Sequence, residues 1–514
     1  MLLDRSAGIL LHPTSLPSHG GIGDLGPEAY AFADFLTSSG LGVWQVLPLS
    51  PPGLGNSPYS ALSAFAGNPL LVSLERLAEH GWLGKDRLRN QLPKTSRVDF
   101  EEVKAYKLPL LREAAQNFLE GFGGESFRFE DFKREHAWWL EDFVLFDVMR
   151  QVHHGATWNS WDAALVRRQP EALHKFGLEY QAELEAERAI QFAFLEQWRA
   201  LRAYCRQRGI RIMGDVAIFV NYDSADVWRH PHIFYLDENL KPTVVSGVPP
   251  DAFSDTGQLW GNPLYRWDVC RSQNYDWWIH RMAWALETCD VVRLDHFRGF
   301  ESYWEIPASE PNAVRGRWVK GPEDDLFREL RGRLGDLPFV AEDLGFITPE
   351  VHALRERLGV PGMKVLQFAF GDPGAHIYLP HNFPPNCVVY TGTHDNDTTP
   401  GWWMSASGEE KQHALAYFGA SQDGMHWAFI RAAFASVARL AIVPLQDVLG
   451  LGSDSRMNVP SLRDGNWGWR FAPGALTPEL ADKLAALVSV TDRAPAVSAI
   501  DQQRHGEVRE EFAA

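Results

Sequence analysis

Three carboxylates stand where short apolar runs stop. Asp295 closes Val291-Val292-Arg293-Leu294-Asp295, Glu342 follows Phe339-Val340-Ala341, and Asp395 lies in Thr393-His394-Asp395-Asn396-Asp397, just after Val388-Val389-Tyr390. Apolar runs of four to eight residues bounded by turn signals read as strands buried on both faces, and in α/β barrels the carboxyl ends of such strands carry the catalytic groups. Acids gathered there suit cleavage of a glycosidic bond. That reaction passes through a cation-like transition state and needs one carboxylate to attack or stabilise carbon and one carboxylic acid to protonate the leaving oxygen. Arg293 and Asp295 are two apart and share a strand face, and a cation within reach lowers a carboxylate pKa by about 1–3 units. Asp295 is therefore expected to stay ionised and act as nucleophile. Glu342, between that charge and apolar walls, is expected to rise toward roughly 6–7 and serve as acid/base. Asp395 is one acid too many for such a pair and suits hydrogen bonding to sugar hydroxyls as the ring flattens, with His394 beside it as a donor. Asp343 and Asp397 read as cap or turn residues.

The elements that must position these groups form a barrel. Candidate strands fall at 8–12, 43–47, 210–215, 291–295, 339–342, 364–368, 388–391 and 441–445, most of them flanked by helical patterns. One such helix starts at Pro27, buries Tyr30, Phe32, Phe35 and Leu36, and ends at Gly40; another opens at Thr477-Pro478-Glu479. The predicted fold is an α/β protein, a single catalytic (β/α)8 TIM barrel over 1–514. Two insertions are expected: a mainly helical one at 68–205 between the second and third strands, and one at 221–285, rich in Pro, Gly and Asn, whose long loop would lie over the catalytic face. No C-terminal β-sandwich domain is expected.

A net charge of -17 and a pI near 5.5 argue against nucleic acid as a partner, because binding a polyanion needs clustered Lys and Arg. A neutral ligand fits better. Twenty Trp, thirty Phe and thirteen Tyr, many beside polar or Gly- and Pro-rich stretches, suit sugars, which have an apolar face and a hydroxyl edge, although the same rings also fill cores. Four cysteines without a CxxC pair suggest neither disulfides nor structural zinc. No run approaches eighteen apolar residues and no leader pattern opens the chain, so a cytoplasmic protein without membrane attachment is expected. No cofactor and no metal are expected, and nothing in the chain specifies an oligomeric state.

The chain resembles the 4-α-glucanotransferases of the amylomaltase type, disproportionating enzymes related to α-amylases. The likeness rests on Gly8-Ile9-Leu10-Leu11-His12-Pro13-Thr14-Ser15-Leu16-Pro17, Gly53-Leu54-Gly55-Asn56-Ser57-Pro58-Tyr59-Ser60, the loop 249–263, Arg293-Leu294-Asp295-His296-Phe297-Arg298-Gly299, Ala341-Glu342-Asp343-Leu344-Gly345, Thr393-His394-Asp395-Asn396-Asp397 and Asn458-Val459-Pro460-Ser461. It implies transfer of an α-1,4-glucan segment, with Asp295 as nucleophile, Glu342 as acid/base and Asp395 as transition-state stabiliser. It also implies that Arg293, Asp215 and His394 line the sugar at the cleavage point and that Tyr59 packs against it. Asp251 and Trp260 would belong to a mobile loop closing over the glucan, with Ser57, Gln258, Asp372 and Asn458 as further contacts. The chain departs from some relatives at Ala252 and Leu54, where they carry aromatics; no secondary glucan groove near Leu54 is therefore implied.

Three competing readings remain at this point. A retaining α-glucan hydrolase would use the same carboxylates and differ only in admitting water. A glucan-binding protein without activity would have no need of Arg293, Asp295 and Glu342 on adjacent strand ends. A metal hydrolase could gather His12, His296 and His394 with Asp215 and Asp295, but no His-x-His pair ends the first strand.

Overall fold

The apolar runs that the sequence places before each carboxylate become strands of one parallel barrel. The computed structural model describes residues 5–495 apart from 90, 122–125, 251–253, 372, 420–421, 461 and 463. In chain order its strands are β1 (Ser6–Leu10), β2 (Val43–Gln45), β3 (Arg211–Ala217), β4 (Val244–Val248), β5 (Gln258–Pro263), β6 (Val291–Asp295), β7 (Ser302–Pro307), β8 (Arg317–Lys320), β9 (Phe339–Ala341), β10 (Gly362–Val365), β11 (Cys387–Tyr390) and β12 (Leu440–Pro444). Eight of them close a barrel in the order β1-β12-β11-β10-β9-β6-β3-β2, while β5-β4-β7-β8 form a separate antiparallel sheet. Every residue of β1, β10, β11 and β12 is buried, as expected of strands with side chains on one face and helices on the other.

All eight expected barrel strands are present. Four begin and end earlier than the apolar pattern suggests, β11 and β12 by a single residue and two by more: β1 stops at Leu10 and β10 at Val365. In both places the chain turns at the barrel top while still apolar, into the 3-10 turns Pro13–Ser15 and Leu366–Ala369. Hydrophobicity alone does not separate a buried strand end from a buried turn.

The helices that matter here are α1 (Pro27–Ser38), α2 (Phe100–Leu119), α3 (Ser126–Val152), α4 (Gln181–Gln207), α5 (Asp276–Thr288), α6 (Glu323–Leu334), α7 (Pro349–Leu358), α8 (Thr399–Ser405), α9 (Met425–Ala435) and α10 (Pro478–Val490). Helices α2, α3 and α4 lie between β2 and β3, and their mutual face is aromatic: Phe118 of α2, Phe129 of α3 and Phe192 of α4 pack on one another, and the Trp82 ring stacks on Phe118 at 3.9 Å and on Phe192 at 6.1 Å. Two glutamines on α4 tie this layer to the barrel top. The Gln191 amide accepts from the Gly67 N–H at 2.9 Å and donates to the Gly67 carbonyl at 3.1 Å, and Gln197 does the same with Ser73 at 2.7 and 3.1 Å. Each side-chain amide thus pairs like a neighbouring strand with a backbone that has none, which fixes the segment leading out of β2.

Most tryptophans serve the core, including Trp44, Trp158, Trp198, Trp228 and Trp278. Trp138, Trp260 and Trp318 are the most exposed. No helix among the described residues is long and apolar enough to cross a membrane.

Candidate active site

Strand register brings the acids together. Asp215 of β3 lies directly across from Arg293 of β6, and Leu294 of β6 across from Ala341 of β9, so the next step along each strand sets Asp295 beside Glu342. Arg293 is 3% exposed and its guanidinium is shared: Nη1 donates to Asp215 Oδ2 at 2.6 Å, and Nη2 lies 2.9 Å from Asp295 Oδ1. Tyr59 Oη donates to the same Asp215 oxygen at 2.7 Å. Asp215 Oδ1 is buried with no hydrogen-bond partner, an acceptor left over in the wall of the cleft.

Glu342 is held differently. Its Oε2 accepts the His296 N–H at 2.8 Å and its Oε1 accepts the Leu344 N–H at 2.9 Å. The first bond depends on a left-handed turn at His296, whose φ is 50°. Non-glycine residues seldom adopt that conformation outside constrained functional turns. The His296 ring meets the Trp260 ring edge to face at 4.7 Å, and Trp260 Nε1 donates to Gln258 Oε1 at 3.1 Å.

Asp395 hangs from a hydrogen-bonded turn after β11. Asn396 Oδ1 accepts from the Thr393 N–H and Oγ1, both at 2.9 Å; Gln367 Nε2 donates to the Asp397 carbonyl at 2.8 Å; and Asp397 Oδ2 accepts from Ser453 at 2.8 Å. Below the turn the fully buried Asp447 accepts from Thr391 Oγ1 and from both N–H and Oγ1 of Thr399, fastening the start of α8 to the barrel. Asn458 Nδ2 donates to Asp395 Oδ1 at 2.6 Å, and Arg456 donates to the carbonyls of both Asp395 and Asn458. His394 Nε2 is 3.4 Å from the same Asp395 oxygen, and its ring stacks on Tyr59 at 5.1 Å. Asp343 and Asp397 spend their carboxylates on the scaffold: Asp397 accepts the Thr398 N–H as a turn residue, as expected, whereas Asp343 is no cap or turn residue but pairs with Arg355 and the Met363 N–H of β10.

The electrostatics correct one expectation. Arg293 does not hold Asp295 low: burial pushes Asp295 up to about 8 against the pull of Arg293, with Asp215, Glu342 and Asp395 adding to the rise. Glu342 is raised by burial as well, against Arg293 and its two backbone N–H groups. The physical reason is desolvation, to which charge adds: four carboxyls face one guanidinium, and that guanidinium is already divided with Asp215. The pair Asp295 and Glu342 therefore retains a proton at neutrality and titrates as a unit. Burial lowers His394, and lowers His12 and His296 to about 3, so these imidazoles are neutral. Burial also raises Tyr59 well above the usual phenol range, which keeps it a donor.

Of the residues expected at the site, Asp215, Arg293, Asp295, Glu342, His394, Asp395, Asn458 and Tyr59 meet in this contact network. Ser57 supports Tyr59 by accepting its N–H at 3.2 Å, and Gln258 and Trp260 flank His296. Asp251 and Asp372 lie outside the described residues. Among the described residues no group of three or more His, Cys, Asp and Glu is arranged to hold a metal. Sequence reasoning missed Trp467, which packs on Tyr59 at 5.8 Å and His394 at 6.0 Å. Its setting, Gly465-Asn466-Trp467-Gly468, carried a signal, since an aromatic in a loop of turn formers is a candidate ligand-facing ring. Arg456 was also missed, and no local pattern distinguishes it from a surface arginine.

Comparison with known proteins finds relatives over nearly the whole chain. The Glyco_hydro_77 family profile, described as 4-alpha-glucanotransferase, matches residues 11–477. A 4-alpha-glucanotransferase of Thermus thermophilus is 50% identical over 502 residues, 96% of this chain and 100% of that protein. One from Synechocystis is 48% identical over 499 residues, covering 96% and 99%. The solved structure of amylomaltase from Streptococcus agalactiae in complex with acarbose superposes with a TM-score of 0.93 at 37% identity, covering 96% of this chain and all of that one.

Proposed function

The chain belongs to the 4-alpha-glucanotransferase family, and from that premise we propose that it transfers a segment of an α-1,4-glucan to the 4-hydroxyl of another glucan or of glucose by a retaining double displacement. The observation that carries the residue assignment is the register that sets Asp295 and Glu342 at adjacent strand ends around the shared Arg293. Retention needs the two carboxyls about 5–5.5 Å apart, and neighbouring strands run about 4.7–4.9 Å apart.

In the first step Asp295 attacks the anomeric carbon and the bond to the leaving O4 breaks as that oxygen takes the Glu342 proton. The product is a glycosyl ester on Asp295. In the second step the 4-hydroxyl of an acceptor gives its proton to Glu342, its oxygen bonds to the anomeric carbon, and the ester bond breaks. The resting pair holds the single proton that this cycle needs, and a sugar between the two carboxyls moves it from Asp295 to Glu342. Asp395, steadied by Asn458, accepts from sugar hydroxyls as the ring flattens. The free Oδ1 of Asp215 offers another acceptor, and Tyr59 on the His394 ring supplies an apolar wall. Trp260, Gln258 and Asp251 belong to the loop 249–263, carried by the insertion at 221–285, which acts as a lid, with Asp372 and Ser57 as further sugar contacts. Closure of that lid excludes water and favours transfer over hydrolysis. Maltooligosaccharides are the substrates this cleft fits.

Incubation with maltotriose tests the reading. Transfer yields glucose together with a ladder of longer maltooligosaccharides, whereas glucose and maltose without elongation would mean a hydrolase and overturn it.

A further inference from the structure

Outside the network around Asp295, one pair of exposed rings is built into the same loops. Phe346 is 70% exposed and Trp318 is 37% exposed, in a protein that otherwise buries most of its large rings. Both are anchored from behind by one buried side chain. Arg298, three residues after Asp295, donates through Nη1 to the Phe346 carbonyl and through Nη2 to Ser302 Oγ at 3.2 Å. Its guanidinium carbon lies 3.7 Å from the Trp318 ring centroid and 5.8 Å from that of Phe346. Trp304 meets Trp318 edge to face at 5.2 Å and is itself held by a bond from Nε1 to the Ala313 carbonyl. Rings fixed this way lose little freedom when something stacks on them.

The position of the pair says what stacks there. Phe346 is four residues beyond Glu342 on the same loop, so its backbone is within about 14 Å of the acid/base at full extension. Trp318 stands on β8, at the edge of its sheet away from β5, in the segment that leaves β6 after Asp295. Both rings thus stand on the segments that follow the strand ends carrying Asp295 and Glu342, and they meet at Arg298. A glucan has an apolar face for such rings, while a protein partner would need about 800 Å² of surface, far more than two side chains offer.

We propose that Phe346 and Trp318 form a stacking platform for the distal sugars of the departing or incoming α-1,4-glucan, beyond the sugars next to Glu342. This rests on the transferase reading above. The platform selects for chain length: a short acceptor does not reach it, and a long one gains from it.

The test compares kcat/KM across maltotriose, maltopentaose, maltoheptaose and amylose for the parent, Phe346→Ala, Trp318→Ala, the double variant and Phe346→Tyr. Each lost ring should cost about two- to tenfold on the long substrates relative to maltotriose. Phe346→Tyr should keep the parental length dependence. A double variant whose ratio of amylose to maltotriose kcat/KM equals the parent's overturns the platform, as does an unchanged ratio together with loss of self-association in sedimentation. Failure of the transferase reading looks different: the unsubstituted protein then makes no ladder from maltotriose at all.

Discussion

Replacing the proposed nucleophile should make the protein inactive and more stable at once. Asp295 sits at about 8 in the folded chain against 3.8 for the free side chain, so between those values the folded state binds more protons than the unfolded state. Stability falls with rising pH wherever that holds. The wild-type protein therefore loses stability on this account from pH 4 to pH 8, and Asp295→Asn, which cannot ionise, does not. The full shift corresponds to roughly 6 kcal/mol at 1.36 kcal/mol per unit. That is a ceiling, because the Asp295 side chain is 29% exposed and its neighbours Glu342 and Asp395 can trade protons with it. A gain of about 1–3 kcal/mol above pH 8 is expected, shrinking toward zero near pH 4. With an unfolding entropy of about 2.1 cal/mol/K per residue over 514 residues, 1 kcal/mol moves the midpoint by about 1 °C. Thermal melts of both proteins from pH 4 to pH 9, with glucose release from maltotriose at each pH, measure the two effects together. A midpoint difference that is flat with pH, or a variant less stable than wild type at pH 8, would refute the claim that desolvation outweighs Arg293 at this carboxyl.

Two further substitutions probe the scaffold. Tyr59→Phe removes the O–H bond to Asp215, and hydrogen bonds to charged groups are worth about 1.5–3 kcal/mol, so kcat/KM on maltotriose should drop roughly 10- to 150-fold with the fold intact by circular dichroism. Glu187 on α4 is buried beside Asp147 of α3 and raised by burial to about 8 from 4.5, so the protein should lose stability through this residue as pH climbs between those values. Glu187→Gln should flatten that part of the pH–midpoint curve while maltotriose turnover stays at the wild-type rate, and a curve identical to wild type would exclude the residue as a contributor.

Much of this molecule is written locally. Each barrel strand is a short apolar run, and because side chains on a strand alternate, the spacing of Arg293 and Asp295 already commits both to one face. Acids at strand ends follow from the barrel, since inward positions within it are packed and only the carboxyl ends open onto loops. The partners of those acids are a different matter. Asp215 reaches Arg293 from 78 residues away, Tyr59 reaches Asp215 from 156, and Asn458 reaches Asp395 from 63. Local pattern does not encode such meetings; the closed barrel, which sets distant strand ends side by side, brings them about. The protonation of the cleft was decided the same way. Arg293 beside Asp295 predicts an ionised nucleophile, but desolvation and charge add over every neighbour in space, and the folded cleft sets four acids around one cation. Burial pattern is a property of the chain taken a few residues at a time, whereas the free energy of a charge depends on everything that has replaced water around it.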